Sequence, residues 1–134
     1  VQLTKLKGHW TQESAERAVS SWLKLATSAG ATIKLVAAQD DAMAMGARNA
    51  AGEITDTAER VRWLTLPFTG CDGLPETGQR WVQKGYLRAT IFIPPLTGIA
   101  IEMAAKCLRD RTQPKENAMT VSYSIPPLQT LACT

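Results

Sequence analysis

Apolar and polar positions change rhythm repeatedly along this chain, and each rhythm predicts an element. Residues 32–38 are an almost unbroken apolar run through Ile33, Leu35, Val36, Ala37 and Ala38, the pattern of a parallel strand covered on both faces. Ahead of it, Ala15, Ala18, Val19, Trp22, Leu23 and Ala26 recur at three-and-four spacing, which predicts a helix reaching about residue 29. Thr11 suits its N-cap, Gln12 and Glu13 suit the positive end of its dipole, and Gly30 suits its stop. Residues 1–7 read as a first strand.

A second helix is predicted over 41–51, with a small-residue face (Ala42, Ala44, Gly46, Ala47, Ala50) and Gly52 as its end. The polar stretch 52–60 reads as a surface loop with at most a turn of helix. A third strand follows over 62–68, then a helix over 75–84 with Pro75 in its first position and Gly85 at its stop. Residues 87–93 form a fourth strand, ended by Pro94 and Pro95. Residues 96–109 carry Ile99, Ala100, Met103, Ala104, Cys107 and Leu108 on one broad helical face. Met119, Val121 and Tyr123 alternate with Thr120, Ser122 and Ser124, as in a half-exposed strand.

Strands and helices in alternation give an α/β fold. Right-handed crossovers make it a three-layer, mostly parallel twisted sheet with helices on both faces. Residues 1–124 form one lobe, and 125–134, with Pro126 and Pro127, an extended tail that packs on something.

Composition narrows this picture. A chain of 134 residues is one domain's worth, and 45% apolar with 20% charged residues is ordinary for a globular protein. A net charge of +3, with basic residues dispersed, argues against a nucleic-acid partner. Cys71, Cys107 and Cys133 show no CxxC or Cys/His spacing, so neither a disulfide framework nor a zinc site is expected. The uncharged stretch 89–101 is too short to span a membrane and contains two prolines.

The candidate chemistry sits where strands end. Gln39, Asp40 and Asp41 follow the second strand; Gly70, Cys71, Asp72 and Gly73 follow the third. In open α/β sheets ligands bind outside the carboxyl ends of the strands. Asp41 is the expected cap of the second helix, which leaves Asp40 free to face that crevice. Asp72 is either an ordinary Asp-Gly turn residue or a second ligand-facing carboxylate. Trp10 lies in a loop ahead of a helix cap, whereas Trp22, Trp63 and Trp81 read as core. An exposed indole can pack on the C–H surface of a sugar ring, and two acceptor-rich carboxylates suit a ligand with several hydroxyl donors. His9, the only histidine, has no Ser or Cys partner at a recognisable spacing and reads as structural or exposed.

The acidic strand ends could in principle hold Mg²⁺ for phosphoryl transfer. No Asp-x-Asp motif, Walker-type glycine loop or suitably placed Thr or Lys accompanies them, so no enzyme, metal or cofactor is expected.

Four stretches in order carry a resemblance: residues 8–11 (Gly8 to Thr11), 37–47 (including Gln39, Asp40, Asp41, Met43 and Gly46), 69–75 (including Gly70, Asp72, Gly73 and Pro75) and 82–91 (including Gly85 and Thr90). Together they resemble the type I periplasmic sugar-binding proteins, solute receptors of ABC transporters, and in particular the ribose-binding branch. The match is strongest up to about Lys106.

The resemblance implies that Trp10 stacks on the sugar, and that Asp40 and Asp72 bond its hydroxyls. Asp40 stands where the family commonly has Asn, which removes an amide donor. Phe92, Ile93 and Pro94 stand where the ribose-binding branch has a polar contact. The resemblance further implies a monosaccharide ligand, a periplasmic location and docking on a transporter permease by a longer, two-lobed protein. This chain then corresponds to most of its C-terminal lobe, without the first β/α unit. The exposed apolar surface expected of such a piece favours self-association. The effector-binding domain of a lactose-repressor-type regulator, or a sensor, shares the fold and is the alternative.

Overall fold

The computed structural model describes residues 3–25, 28, 30–114 and 119–131. Val1 and Gln2 of the expected first strand, most of 26–29 and the last three residues of the tail lie outside them.

Helix α1 (Gln12–Leu23) begins as expected, with the Thr11 hydroxyl accepting the Ser14 N–H at 3.1 Å. It ends at Leu23, short of residue 29. Strand β1 (Val36–Ala37) leads to α2 (Asp41–Gly52), and α2 to a third helix, α3 (Thr57–Leu64). Strand β2 (Phe68–Asp72) follows. A π-helical turn (Pro75–Gln79) then runs into α4 (Arg80–Gln83), with Gly85 just beyond it at φ +71°. Strand β3 (Ala89–Phe92), helix α5 (Leu96–Asp110), strand β4 (Tyr123–Ile125) and a 3-10 turn (Leu128–Thr130) complete the order.

The four strands lie in the order β1-β2-β3-β4, with helices on both sides of the sheet. The first three are parallel, pairing Val36 with Phe68 and Thr69 with Ala89. The last is antiparallel, pairing Ile91 with Ser124. The fold class read from the sequence is therefore the one observed.

One face of the sheet is sealed. Ala44, Ala47 and Ala51 of α2 pack with Trp63, Phe68 and Leu87, and Trp22, Trp81 and Val82 close around them. Trp22 meets Trp63 edge to face, with ring centroids 5.8 Å apart. The small-residue face of α2 explains how α1 lies so close: a Cβ on Gly46 would overlap the Gln12 carbonyl of α1, so the two backbones touch there. On the opposite face of the sheet, Leu35 and Ile91 stay about half exposed.

Four expectations are corrected. Residues 3–7 form no ladder, and their side chains are exposed. A strand needs a neighbour for its N–H and C=O groups, and none of the described residues offers one there. The run 32–38 shrinks to a two-residue strand for a related reason: among the described residues only β2 pairs with it, and Val36 is half-buried while Leu35 is exposed. Residues 57–64, expected as a loop and the start of a strand, are helical. Asp56 caps them through the Glu59 N–H at 2.8 Å, and Glu59 holds both Arg62 and the Trp63 indole N–H. The third strand therefore starts at Phe68. Finally, α5 forms where expected, but none of its residues is buried.

Candidate functional site

The carboxyl ends of the parallel strands open onto one rim, built from three segments. The first is the start of α2. Asp40 is extended (φ −143°, ψ 166°), and its Oδ1 accepts the Met43 N–H at 2.6 Å. Asp40 is thus the N-cap, and Asp41 is not, which reverses the assignment read from the sequence. Capping turns Asp40 inward and leaves it 7% exposed.

Asp41, one position on, reaches across the strand ends. Its Oδ1 accepts the Thr90 hydroxyl at 2.6 Å and its Oδ2 accepts the Gly73 N–H at 2.8 Å. Three elements are tied by this one buried carboxylate: α2, the turn after β2, and β3. Gly70 and Gly78 flank it so closely that a Cβ on either would overlap the carboxylate.

The second segment is the turn after β2. Asp72 has φ +91° and is exposed, and Gly73 has φ +61°. Gln79 Nε2 donates to the Gly73 carbonyl at 2.8 Å, so Asp41 and Gln79 hold the turn from both sides. The third segment carries His9 (φ +47°) and Trp10 (φ +61°), with Trp10 66% exposed. Gly8 rests against Met43 of α2, where an added Cβ would lie 2.7 Å from Sδ. The Trp10 turn therefore sits beside the first turn of α2.

Trp10 follows the Gly8 that rests on the first turn of α2, and Asp72 precedes the Gly73 that Asp41 binds; both are exposed, whereas Asp40 is buried. Four described non-glycine residues have left-handed backbone, and three of them, His9, Trp10 and Asp72, lie here. Such backbone costs about 1–3 kcal/mol for an ordinary residue and persists only where its surroundings enforce it, which is common at binding sites. Among the described residues, no three His, Cys, Asp or Glu side chains group as a metal site. The rim is an open shelf. A shallow groove of about 410 Å³ runs along β2, β3 and β4 and shares Gly70 and Thr90 with the rim.

Sequence reasoning missed Asp41, Thr90 and Gln79 as the supports of this rim. The paired Asp40 and Asp41 were the available signal for the first, since one can cap while the other reaches back. Thr90 carries no such mark, because a threonine in a strand looks like any β-branched residue.

Burial pushes the Asp41 carboxyl above its ordinary range. The bonds from Thr90 and Gly73 oppose this, and the neighbouring charges of Asp72 and Asp40 add to it. Just above the unfolded value of ~4, the folded chain therefore keeps a proton that the unfolded chain has released. The stability owed to Asp41 is greatest below that value and falls as pH rises through the raised one. Asp41→Asn cannot titrate, so subtracting its urea midpoints from those of the wild type isolates this slope. The difference is expected to fall with rising pH and then level off; a flat difference would assign the carboxyl an ordinary proton affinity.

The chain matches no protein-family model and no curated protein. Solved structures do match. The fructose binding periplasmic domain of a hybrid two component system superposes with a TM-score of 0.70 at 22% identity, covering 93% of this chain and 41% of that one. A periplasmic ABC transporter solute binding protein from Actinobacillus succinogenes with bound D-allose gives 0.67 at 21% identity, covering 92% and 41%. A galactofuranose binding protein gives 0.66 at 23% identity, covering 87% and 38%. The chain thus has the fold of one lobe of a type I periplasmic binding protein, and it spans about two fifths of the length of these structures.

Proposed function

We propose that this chain supplies one wall of a carbohydrate site, in a receptor that presents a monosaccharide to an ABC transporter in the periplasm. The observation that carries the reading is that Trp10 and Asp72, both exposed and both in left-handed backbone, stand on the strand-end rim. An indole face suits the C–H surface of a sugar ring, and a carboxylate with solvent-facing lone pairs suits its hydroxyls. Asp40 contributes its second oxygen from behind, the first being engaged in the helix cap. The ligands named for similarly folded proteins (fructose, D-allose, galactofuranose) support this chemistry.

A single wall leaves the ligand's other side in water, where its hydroxyls exchange protein partners for solvent at little net gain. Calorimetry of the chain against a panel of hexoses and pentoses is therefore expected to give millimolar affinity at best. Trp10→Ala should weaken it by about fivefold, the equivalent of ~1 kcal/mol for one aromatic face. Micromolar affinity would contradict the one-wall reading, and equal binding by Trp10→Ala and Asp72→Ala would remove the rim from it.

Sensing is the second reading, supported by the two-component domain among the structural matches. Deleting the encoding gene separates the two. Loss of sugar uptake belongs to a transport receptor, and loss of sugar-induced transcription belongs to a sensor or regulator.

A further inference from the structure

We propose that Asp41 and Gln79 are positioning residues: together they preset the strained backbone of Asp72, so that its carboxylate stands in place before a ligand arrives. This rests on the reading of Asp72 as a ligand-facing group and adds the part of the molecule that aims it.

Asp72 is exposed at a φ of +91°, a region that glycine enters freely and a residue with a Cβ enters at a steric cost. Glycine stands at positions 70, 73 and 78 around it. A turn that only reversed the chain would be most stable with glycine at 72 as well. A carboxylate kept there against the preference of its own backbone needs surroundings that enforce it.

The enforcement falls on the peptide that follows. The Asp72 carbonyl accepts the Ile93 N–H at 3.1 Å, which ties it to the end of β3. Across the same peptide, the Gly73 N–H donates to Asp41 Oδ2 at 2.8 Å. With both polar groups engaged the peptide plane is held, and that plane defines ψ of Asp72 and φ of Gly73. The next carbonyl, that of Gly73, accepts Gln79 Nε2 at 2.8 Å. Gly73 itself lies flat on β3, where a Cβ would come within 2.6 Å of the Phe92 Cα.

Both arms of this clamp are anchored in turn. The other oxygen of Asp41 accepts the hydroxyl of Thr90, a strand residue that is 1% exposed. Asp41 is itself 3% exposed, so it acts through Asp72 and not on a ligand. Gln79 ends the π-helical turn, where its N–H reaches back five residues to the Leu74 carbonyl at 3.1 Å. An α-helical turn would make that bond one residue sooner and swing residue 79 by about 100° around the axis. The widened turn is what brings the Gln79 side chain back to Gly73, and insertions of this kind recur at functional sites.

A double-mutant cycle between Asp41→Ala and Asp72→Gly, read by urea unfolding, tests the clamp without any sugar. Glycine relieves strain only where strain is enforced. The folding constant should therefore gain at least about fivefold more from Asp72→Gly in the wild type than in Asp41→Ala. The freedom that glycine adds to the unfolded chain is common to both backgrounds and cancels. Asp41→Asn should keep the wild-type response, because its oxygen can take the Gly73 N–H while its amide donates to the Thr90 hydroxyl. Gln79→Ala, a half-buried position, supplies a second cycle of the same sign if Asp41→Ala does not fold. In calorimetry against the panel of hexoses and pentoses, Asp41→Ala and Gln79→Ala should weaken binding by about fivefold, as Asp72→Ala does, and Asp41→Asn should not. Additive cycles would overturn the proposal, as would a sugar that needs Asp72 but binds equally well without Asp41 and Gln79. Coupled cycles with no sugar bound by any variant would support the clamp and count against the carbohydrate reading alone.

Discussion

Trp63→Ala is expected to lower the unfolding free energy by about 4 kcal/mol, the range for removing a large aromatic from a core. Trp63 is 3% exposed and sits where α3 meets the core cluster of α2 and β2. Its loss removes the edge-to-face contact with Trp22, the indole bond to Glu59 at 2.9 Å and the surface beneath the Arg62 guanidinium. The consequence is large because the core is small: among the described residues the largest fully buried side chains are Phe68, Leu87 and Thr90. Small domains have about 5–15 kcal/mol in total, so the variant should approach the unfolding threshold. Urea titration followed by far-ultraviolet circular dichroism measures this without relying on the lost fluorophore. A cost under about 1.5 kcal/mol, well below the usual range, would mean that α3 is not part of the cooperative unit.

Asp41→Ala is expected to cost about 3 kcal/mol. The substitution leaves the Thr90 hydroxyl and the Gly73 N–H without an acceptor, each worth about 1–3 kcal/mol when buried and unsatisfied. Part of this is offset, because the carboxylate itself pays a desolvation penalty. Asp41→Asn keeps one acceptor oxygen and should cost less.

Gly78 provides the sharper measurement. With Asp41 present, Gly78→Ala drives a methyl group into the carboxylate; with Asp41→Ala that collision is gone and the Gly73 Cα, 3.0 Å from the methyl, is the remaining close contact. The two substitutions should therefore couple favourably by at least about 1 kcal/mol in a double-mutant cycle. Strict additivity would place the collision elsewhere. If the carboxylate also sets the backbone of Asp72, Asp41→Ala will lose whatever sugar affinity the chain has, even under conditions where it stays folded.

The alternation of strands and helices, the cap at Thr11, the glycine at 85 and the extent of α5 were legible because each rests on local pattern and backbone preference. What misled was tertiary. The run 32–38 has the hydrophobicity of a strand with two neighbours and two covers, but its pairing depends on what lies beside it. The helix at 57–64 was hidden by polarity, although Asp56 and Glu59 spell a capping signature three residues apart. At the rim, the residue types were readable and their division of labour was not. Two adjacent aspartates look alike in a sequence, and only the chain's entry angle into α2 decides which one caps and which one bridges.

Strand β4 joins the sheet antiparallel to β3, and everything between Phe92 and Tyr123 must be looped back before that pairing begins. Helix α5 occupies much of the loop and contributes no buried side chain to offset the entropy of closing it. The other three strands are linked by helices that pack as they form, so they make up the early, cooperative part of the molecule. The last ladder is therefore expected to form late and to be the first to open as the native state breathes.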